Sequence, residues 1–248
     1  MANVSLEDHG QVAVLRLTNG VINAVSPGLV EDLSLALQEV PGRFRGMVLA
    51  GGNKFFSIGL DLPALLKLSR KDMAAFWAGF EDTVLALSTL PIPTVAAITG
   101  HAPAAGTILA LACDFRLITS GKKLMGLNEI KIGLPVPLLA DLMLRQVVGD
   151  RAATEIEYMG ELLMPEKAQA FALVDGLFPE TDVEAKAIAH ISEIVERPPF
   201  GFALTKQHRT RDILTRFFAG RESFNQAFME CWFSAPVQDI LRKTATKF

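Results

Sequence analysis

The stretch HAPAAGTILALACDF, residues 101–115, carries no charged side chain before Asp114 and contains a proline followed by three very small residues, Pro103–Gly106. Residues this small let another group approach the backbone closely. The apolar run 94–98 before the stretch predicts a buried strand, and the apolar run within it predicts a helix beginning near Gly106. We therefore expect a strand, a tight loop and a helix whose first N–H groups have no partner within the helix.

A second segment has the same construction. FFSIGLDL, residues 55–62, follows the apolar run 46–50 and leads through Gly59 to a predicted helix start near Asp61. The free N–H groups and the dipole of such a helix start favour partial negative charge. Two loops of this kind aimed at one point would form an oxyanion hole. Taken alone, each loop is equally an ordinary strand-to-helix turn.

A third segment, MGLNEIKIGLP at residues 125–135, places Glu129 among apolar side chains. Apolar surroundings disfavour the charged form of a carboxyl group, so Glu129 would act as a base near neutral pH. The alternative, that Glu129 points to water from a loop or a helix end, stays open on spacing alone.

The rest of the chain reads as alternating strands and helices, which indicates an α/β fold. Three helix starts carry capping patterns, at Ser26-Pro27, Ser69–Asp72 and Thr181–Glu184. Residues 198–248 differ, because they read as entirely helical.

Residues 198–248 hold nine of the nineteen aromatic side chains, with Phe224, Phe228 and Trp232 spaced four apart. This spacing fits a helix that packs on its own core and, equally, a subdomain built for subunit contact.

The amino-acid composition indicates which class of protein this chain belongs to. Apolar residues make up 50% of the 248 residues and charged residues 21%, which indicates a globular chain with a large core. The mean hydropathy of +0.31 suggests subunit interfaces, and the net charge of −3 argues against nucleic acid as a partner. The two cysteines and four histidines show no disulfide or metal spacing.

Two further sequence patterns indicate where in the cell the protein is located. The first ten residues have no signal-peptide pattern. Residues 83–113 are uncharged but are interrupted by prolines and glycines, which a membrane-spanning helix rarely carries. We expect a soluble, cytoplasmic protein.

The three segments together resemble the enoyl-CoA hydratase/isomerase (crotonase) superfamily. FFSIGLDL is similar to its F-S-x-G-x-D-L signature, PTVAAITGHAPAAGTILALACDFRL (93–117) to its second signature, and GLNEIKIGLP (126–135) to its third, in the same order. The resemblance implies a spiral of ββα units at residues 1–197 that holds an acyl-CoA site. It also implies a C-terminal helical region at 198–248 that forms trimers, which pair in some members into hexamers.

The resemblance also implies roles for residues. The thioester oxygen of an acyl-CoA substrate would be held by the backbone N–H groups of Leu60 and Ala105. Family members usually have glycine where Ala105 stands, so donation here requires ordinary helical angles. The residues that would line the coenzyme A channel are Ile58, Gly59, Leu60, Asp61 and Leu62. Coenzyme A enters as part of the substrate, and neither a separate cofactor nor a metal is implied.

The pattern is most similar to the mitochondrial-type Δ3,Δ2-enoyl-CoA isomerases. Hydratases of the family carry two glutamates, and the first of these positions is Ile108 here, which leaves Glu129 alone. A single base suffices to move a double bond, with Asn128 beside it as a substrate contact. The implied setting is fatty-acid β-oxidation. The alternatives are a hydratase, a thioester hydrolase and a non-catalytic acyl-CoA binder.

Overall fold

The computed structural model describes residues 3–246, and its centre is a six-stranded sheet. The strands are β1 (Val4–His9), β2 (Val12–Leu17), β3 (Gly46–Ala50), β4 (Thr94–Ile98), β5 (Ala102–Pro103), β6 (Phe115–Thr119), β7 (Met125–Gly126) and β8 (Gly176–Phe178). The α-helices are α1 (Pro27–Arg43), α2 (Leu62–Leu65), α3 (Arg70–Ser88), α4 (Ala105–Leu111), α5 (Leu138–Met159), α6 (Pro165–Ala170), α7 (Val183–Val195), α8 (Pro199–Trp232) and α9 (Ala235–Ala245).

The sheet is mixed, with its strands in the order β1-β2-β3-β4-β6-β8. Strand β1 pairs antiparallel with β2, and every other neighbouring pair in the sheet is parallel. Helices cover both faces of a parallel sheet, so its central strands are buried on both sides. That is why β3 and β4, with the sequences GMVLA and TVAAI, are continuous apolar runs without alternation. The α/β fold expected from the sequence is confirmed.

Two of the three predicted capping sites are confirmed. The Ser26 hydroxyl accepts the Leu29 N–H at the start of α1. The Ser69 hydroxyl accepts the Asp72 N–H at the start of α3. The Thr181 prediction was wrong, because α7 begins after Asp182, whose side chain makes no capping hydrogen bond.

The uncharged segment 83–113 is divided among several elements: the end of α3, then β4, β5 and α4. In the part of the chain that the structure describes, no helix has the length and apolar character needed to cross a membrane.

The two C-terminal helices pack on other helices of the chain, α8 on α3 and α5, and α9 on α2. Phe228 and Trp232 on α8 are each 1% exposed and belong to the main core. The ring of Phe228 stacks on Trp77 of α3 with 3.8 Å between ring centroids. The four-residue aromatic spacing therefore reflects packing of α8 on its own chain.

Candidate active site

The first loop of the site, between β3 and α2, is held by one buried hydroxyl group. The Ser57 side chain donates to the Asn23 carbonyl at 2.7 Å and accepts the Gly59 N–H at 3.3 Å. Gly59 itself has φ +104°, a conformation that side-chain-bearing residues rarely adopt. The S-x-G portion of this motif is thus required by the turn.

The neighbouring segment at Val25 fixes the direction of the Leu60 N–H. Val25 donates to the Gly59 carbonyl at 2.8 Å and accepts the Asp61 N–H at 3.1 Å. Successive N–H groups of extended backbone point in opposite directions, so the Leu60 N–H points away from Val25. Among residues 3–246 it has no protein acceptor.

The second loop ends in a strained residue. Ala104 has φ +49° and ψ −118°, which is unfavourable for a residue with a Cβ, and its N–H donates to the Gly126 carbonyl at 2.8 Å. Ala105 follows as the first residue of α4, so the ordinary backbone that donation requires is present there. Within the described chain, the Ala105 N–H also has no protein acceptor.

The two loops are in direct contact. A Cβ placed on Gly106 would lie 2.5 Å from the Ser57 carbonyl oxygen, so only glycine fits where α4 packs on the first loop. A Cβ placed on Gly59 would lie 3.7 Å from the Ala105 nitrogen. The small residues of the 101–115 stretch therefore bring the second free N–H close to the first loop.

Glu129 begins a short 3₁₀ helix, Glu129–Ile132, and is only 7% exposed. Its Oε2 atom has no hydrogen-bond partner among the described residues. Burial raises the pKa of Glu129 from the ordinary 4.5 to about 7. A carboxyl group with this pKa exchanges a proton readily near neutral pH.

The two free donors and the carboxyl group line one cavity of about 230 Å³. Ile108 lies in its wall and is 3% exposed, which leaves Glu129 as the carboxylate among the described lining residues. The arrangement can therefore bind an oxygen that gains negative charge while a single base acts nearby.

The predicted substrate-contact residues divide into two groups. Four line the cavity, namely Ile58, Leu60, Leu62 and Asn128. Gly59 and Asp61 are not among the lining residues: Gly59 makes the turn, and the Asp61 carboxylate accepts the Ala64 N–H to cap α2.

The sequence did not reveal a second buried carboxyl group behind the site. Glu157 on α5 is 7% exposed, its Oε1 atom has no partner in the described chain, and it lines a neighbouring cavity together with Asp141. Burial, and secondarily the Asp141 carboxyl, raise the pKa of Glu157 to about 8. The available signal was spacing, since Glu157 follows the buried Ala153 by one helical turn.

Two cavity residues come from the C-terminal helices. Phe228 of α8 and Thr244 of α9 both line the cavity, although no residue after position 197 was assigned to the site from the sequence. Their place in the cavity wall depends on contacts between parts of the chain that are far apart in sequence.

A larger cavity of about 500 Å³ lies elsewhere, where α8 passes the start of β6. Its buried cations already have partners: Lys206 donates to Asp114 at 2.8 Å, and Arg116 donates to the Leu173 carbonyl at 2.9 Å. These bonds give both charges a structural role, so the smaller cavity, with its free N–H groups and free carboxyl oxygen, is the candidate site.

Comparison with known proteins agrees with this geometry. A family model described as enoyl-CoA hydratase/isomerase matches residues 7–239. The chain is 29% identical over 222 residues to human mitochondrial enoyl-CoA delta isomerase 1, covering 88% of this chain and 74% of that protein. It is 32% identical over 209 residues to a probable enoyl-CoA hydratase of Mycobacterium tuberculosis, covering 82% of this chain and 80% of that protein.

Among solved structures, the crystal structure of human mitochondrial delta3-delta2-enoyl-CoA isomerase is similar with a TM-score of 0.95 and 27% identity, covering 99% of this chain and 97% of that chain. Both isomerase and hydratase names therefore occur among the proteins that this chain resembles.

Proposed function

The chain belongs to the enoyl-CoA hydratase/isomerase family, and from this premise we propose that it is a Δ3,Δ2-enoyl-CoA isomerase. The observation that carries the proposal is Glu129, whose free carboxyl oxygen lines the same cavity as the free N–H groups of Leu60 and Ala105. Ile108 lines this cavity, at the position where the resemblance implies that hydratases carry their first glutamate, and its apolar side chain supports isomerisation over water addition.

The proposed reaction moves one proton. Ionised Glu129 takes a proton from C2 of a 3-enoyl-CoA, and the electron pair passes into a dienolate. The dienolate oxygen accepts hydrogen bonds from the Leu60 and Ala105 N–H groups, each worth about 3–4 kcal/mol in the transition state. Glu129 then gives the proton to C4, which leaves the double bond between C2 and C3.

The apolar wall favours this reaction over hydration. A site that excludes water protects the conjugated product from water addition. Ile108 and Leu134 are each 3% exposed and line the cavity. The chain in this proposal acts on acyl-CoA in fatty-acid β-oxidation, and its cytoplasmic location stays a prediction.

Activity on 3-hexenoyl-CoA tests the proposal. The wild-type protein should form 2-hexenoyl-CoA, seen as rising absorbance of the conjugated thioester with no change in mass. Glu129→Gln should lower kcat by about 10²–10⁴-fold, and the exposed Glu155→Gln should not. A product heavier by one water, release of free coenzyme A, or full activity of Glu129→Gln would each contradict the proposal.

The pH dependence gives a second readout of the same residue. Because Glu129 acts in its ionised form and its pKa is about 7, kcat/KM should rise with pH and level off above about 7. A profile that is flat from pH 5 to 9 would exclude Glu129 as the base.

A homotrimer, alone or paired as a hexamer, is the assembly that we propose. Support comes from exposed apolar side chains on α8, where Phe200 is 76% exposed and Phe218 is 58% exposed. The two are 18 residues apart, which is five helical turns, so they lie on one face of α8. In this assignment residues 1–197 carry most of the site and residues 198–248 supply both the subunit contact and part of the cavity wall.

A further inference from the structure

The inner end of the cavity is closed by buried aromatic side chains. Trp77 and Phe80 of α3 and Phe228 of α8 line it, and none is more than 2% exposed. Seven other lining residues are half-buried and form its more open side, namely Ile58, Leu60, Ala104, Asn128, Ile132, Leu162 and Thr244. A thioester that enters from the open side with its carbonyl at Leu60 and Ala105 therefore directs its acyl chain toward the aromatic end.

The closed end leaves limited room. The cavity of about 230 Å³ is smaller than the clefts of about 300–1,000 Å³ that hold drug-sized ligands. This space must accept the thioester group as well as the acyl chain. A long chain fits only if the aromatic wall moves.

Trp77 is held so that it resists such movement. Its ring stacks on Phe228 with centroids 3.8 Å apart and planes 15° apart, and its Nε1–H donates to Asn225 Oδ1 at 3.0 Å. Displacing the ring would break a hydrogen bond and a stacked contact in the core.

The partner of Trp77 is itself fixed. The Asn225 side chain donates to Glu81 Oε2 at 2.7 Å, and Arg221 Nε donates to the same oxygen at 3.0 Å. Glu81 is 2% exposed, so this network joins α3 to α8 directly behind the wall. The tryptophan is thereby oriented from both helices.

We propose that Trp77 limits the acyl group to short chains, so that the protein prefers six-carbon over twelve-carbon acyl-CoA. The inference rests on the proposed function for the identity of the substrate as an acyl-CoA. Trp77 acts as a specificity-determining wall, and Asn225 acts as the residue that positions it.

Chain-length selectivity tests the inference. Wild-type protein should show kcat/KM at least about tenfold higher for 3-hexenoyl-CoA than for 3-dodecenoyl-CoA. Trp77→Leu should raise the ratio of dodecenoyl to hexenoyl activity by at least about tenfold. Phe76→Leu is the matched control, because Phe76 is a buried aromatic of the same helix, 7% exposed, outside the cavity lining.

A more conservative substitution at the same position keeps the inference testable if Trp77→Leu does not fold. Trp77→Phe keeps a ring but removes the Nε1–H and the larger ring system, and it should shift the preference toward 3-octenoyl-CoA. An unchanged ratio in both Trp77 variants, or equal wild-type activity on both substrates, would overturn the inference.

Binding separates this inference from the proposed function. Calorimetric titration with saturated hexanoyl-CoA and dodecanoyl-CoA needs no reaction. If the wild-type protein binds hexanoyl-CoA more tightly and Trp77→Leu removes the difference, the wall is established even when no 3-enoyl-CoA is isomerised. If isomerisation occurs without any chain-length difference in binding or turnover, the wall is excluded and the isomerase proposal stands.

Discussion

Burial of the Glu129 carboxyl group makes the free energy of unfolding depend on pH. The unfolded chain loses this proton near the ordinary pKa of 4.5, whereas burial keeps it on the folded chain until about pH 7. Between those values the folded state holds more protons, so the free energy of unfolding falls as pH rises, by about 1.4 kcal/mol per pH unit. Burial of the ionised carboxylate lowers the free energy of unfolding by about 3 kcal/mol in total, and this full reduction is present above pH 7.

Replacing Glu129 by glutamine should remove this reduction. Glu129→Gln should match the wild type in free energy of unfolding near pH 4.5 and exceed it by up to about 3 kcal/mol at pH 8, measured by urea denaturation across that range. Glu155→Gln controls for loss of an exposed carboxylate. A difference between Glu129→Gln and wild type that does not change with pH would contradict the assigned burial effect.

Sequence reasoning pointed to the two loops and to Glu129 because strand-to-helix turns and an apolar segment are local features. The resemblance to the family then named the N–H groups of Leu60 and Ala105, and the catalytic roles of all three residues stay predictions. Glu157 was missed because its burial results from packing of α5, and its exposed neighbours Glu155 and Tyr158 make the segment read as a solvated helix.

At the level of elements, one threonine joins the second loop to the Glu129 segment. Thr107 on α4 is fully buried; its hydroxyl donates to the Ala102 carbonyl and accepts the Gly126 N–H at 2.7 Å. Ala102 lies on β5 and Gly126 on β7, the two strands of a small parallel pair. Thr107 thus sets the position of Glu129, three residues beyond Gly126, relative to α4.

Thr107→Val keeps the shape of the side chain and removes both hydrogen bonds of the Thr107 hydroxyl group. The buried Gly126 N–H loses its acceptor, so the free energy of unfolding should fall by about 1–3 kcal/mol. The turnover number should also fall, because the base shifts relative to the N–H donors. Denaturant unfolding and steady-state kinetics measure the two effects.

Thr83→Val is the matched control for this prediction. The Thr83 hydroxyl donates to the Gly79 carbonyl within α3, so valine there leaves no backbone N–H without an acceptor. Equal losses in the two variants would show that Thr107 acts only as a buried threonine and not as a connection between elements.

The long elements were predictable and the short ones were not. Strands β3 and β4 and helices α1 and α3 have strong apolar patterns and, for the helices, serine caps. The two-residue strands β5 and β7 carry no periodic pattern, because pairing between them is set by tertiary contact. These two strands nevertheless place the second loop, which carries the free Ala105 N–H, beside the segment that contains Glu129.

At the level of the whole molecule, the surroundings of α8 change along its length. Its last two turns carry Phe228 and Trp232 into the core of its own chain, whereas Phe200 and Phe218, which come earlier in the helix, are exposed. The sequence pattern left packing and subunit contact as equal alternatives for this region, because a helical spacing does not say which surface it meets. The buried pair, Phe228 and Trp232, is now assigned to packing, and the exposed pair, Phe200 and Phe218, keeps the prediction of subunit contact.

The exposed aromatic side chains of α8 should hold the assembly together. Removing both rings in Phe200→Ser/Phe218→Ser eliminates apolar area that would be buried between subunits, and since neither ring is in the core the single chain should keep its fold. Sedimentation velocity should show a trimer or hexamer for the wild type and smaller species for the double variant, with unchanged far-ultraviolet circular dichroism. Val21→Ser removes another apolar side chain, 70% exposed, from the turn before α1 and should leave the assembly intact. A wild-type monomer, or a double variant that sediments like the wild type, would show that α8 does not make the subunit contact.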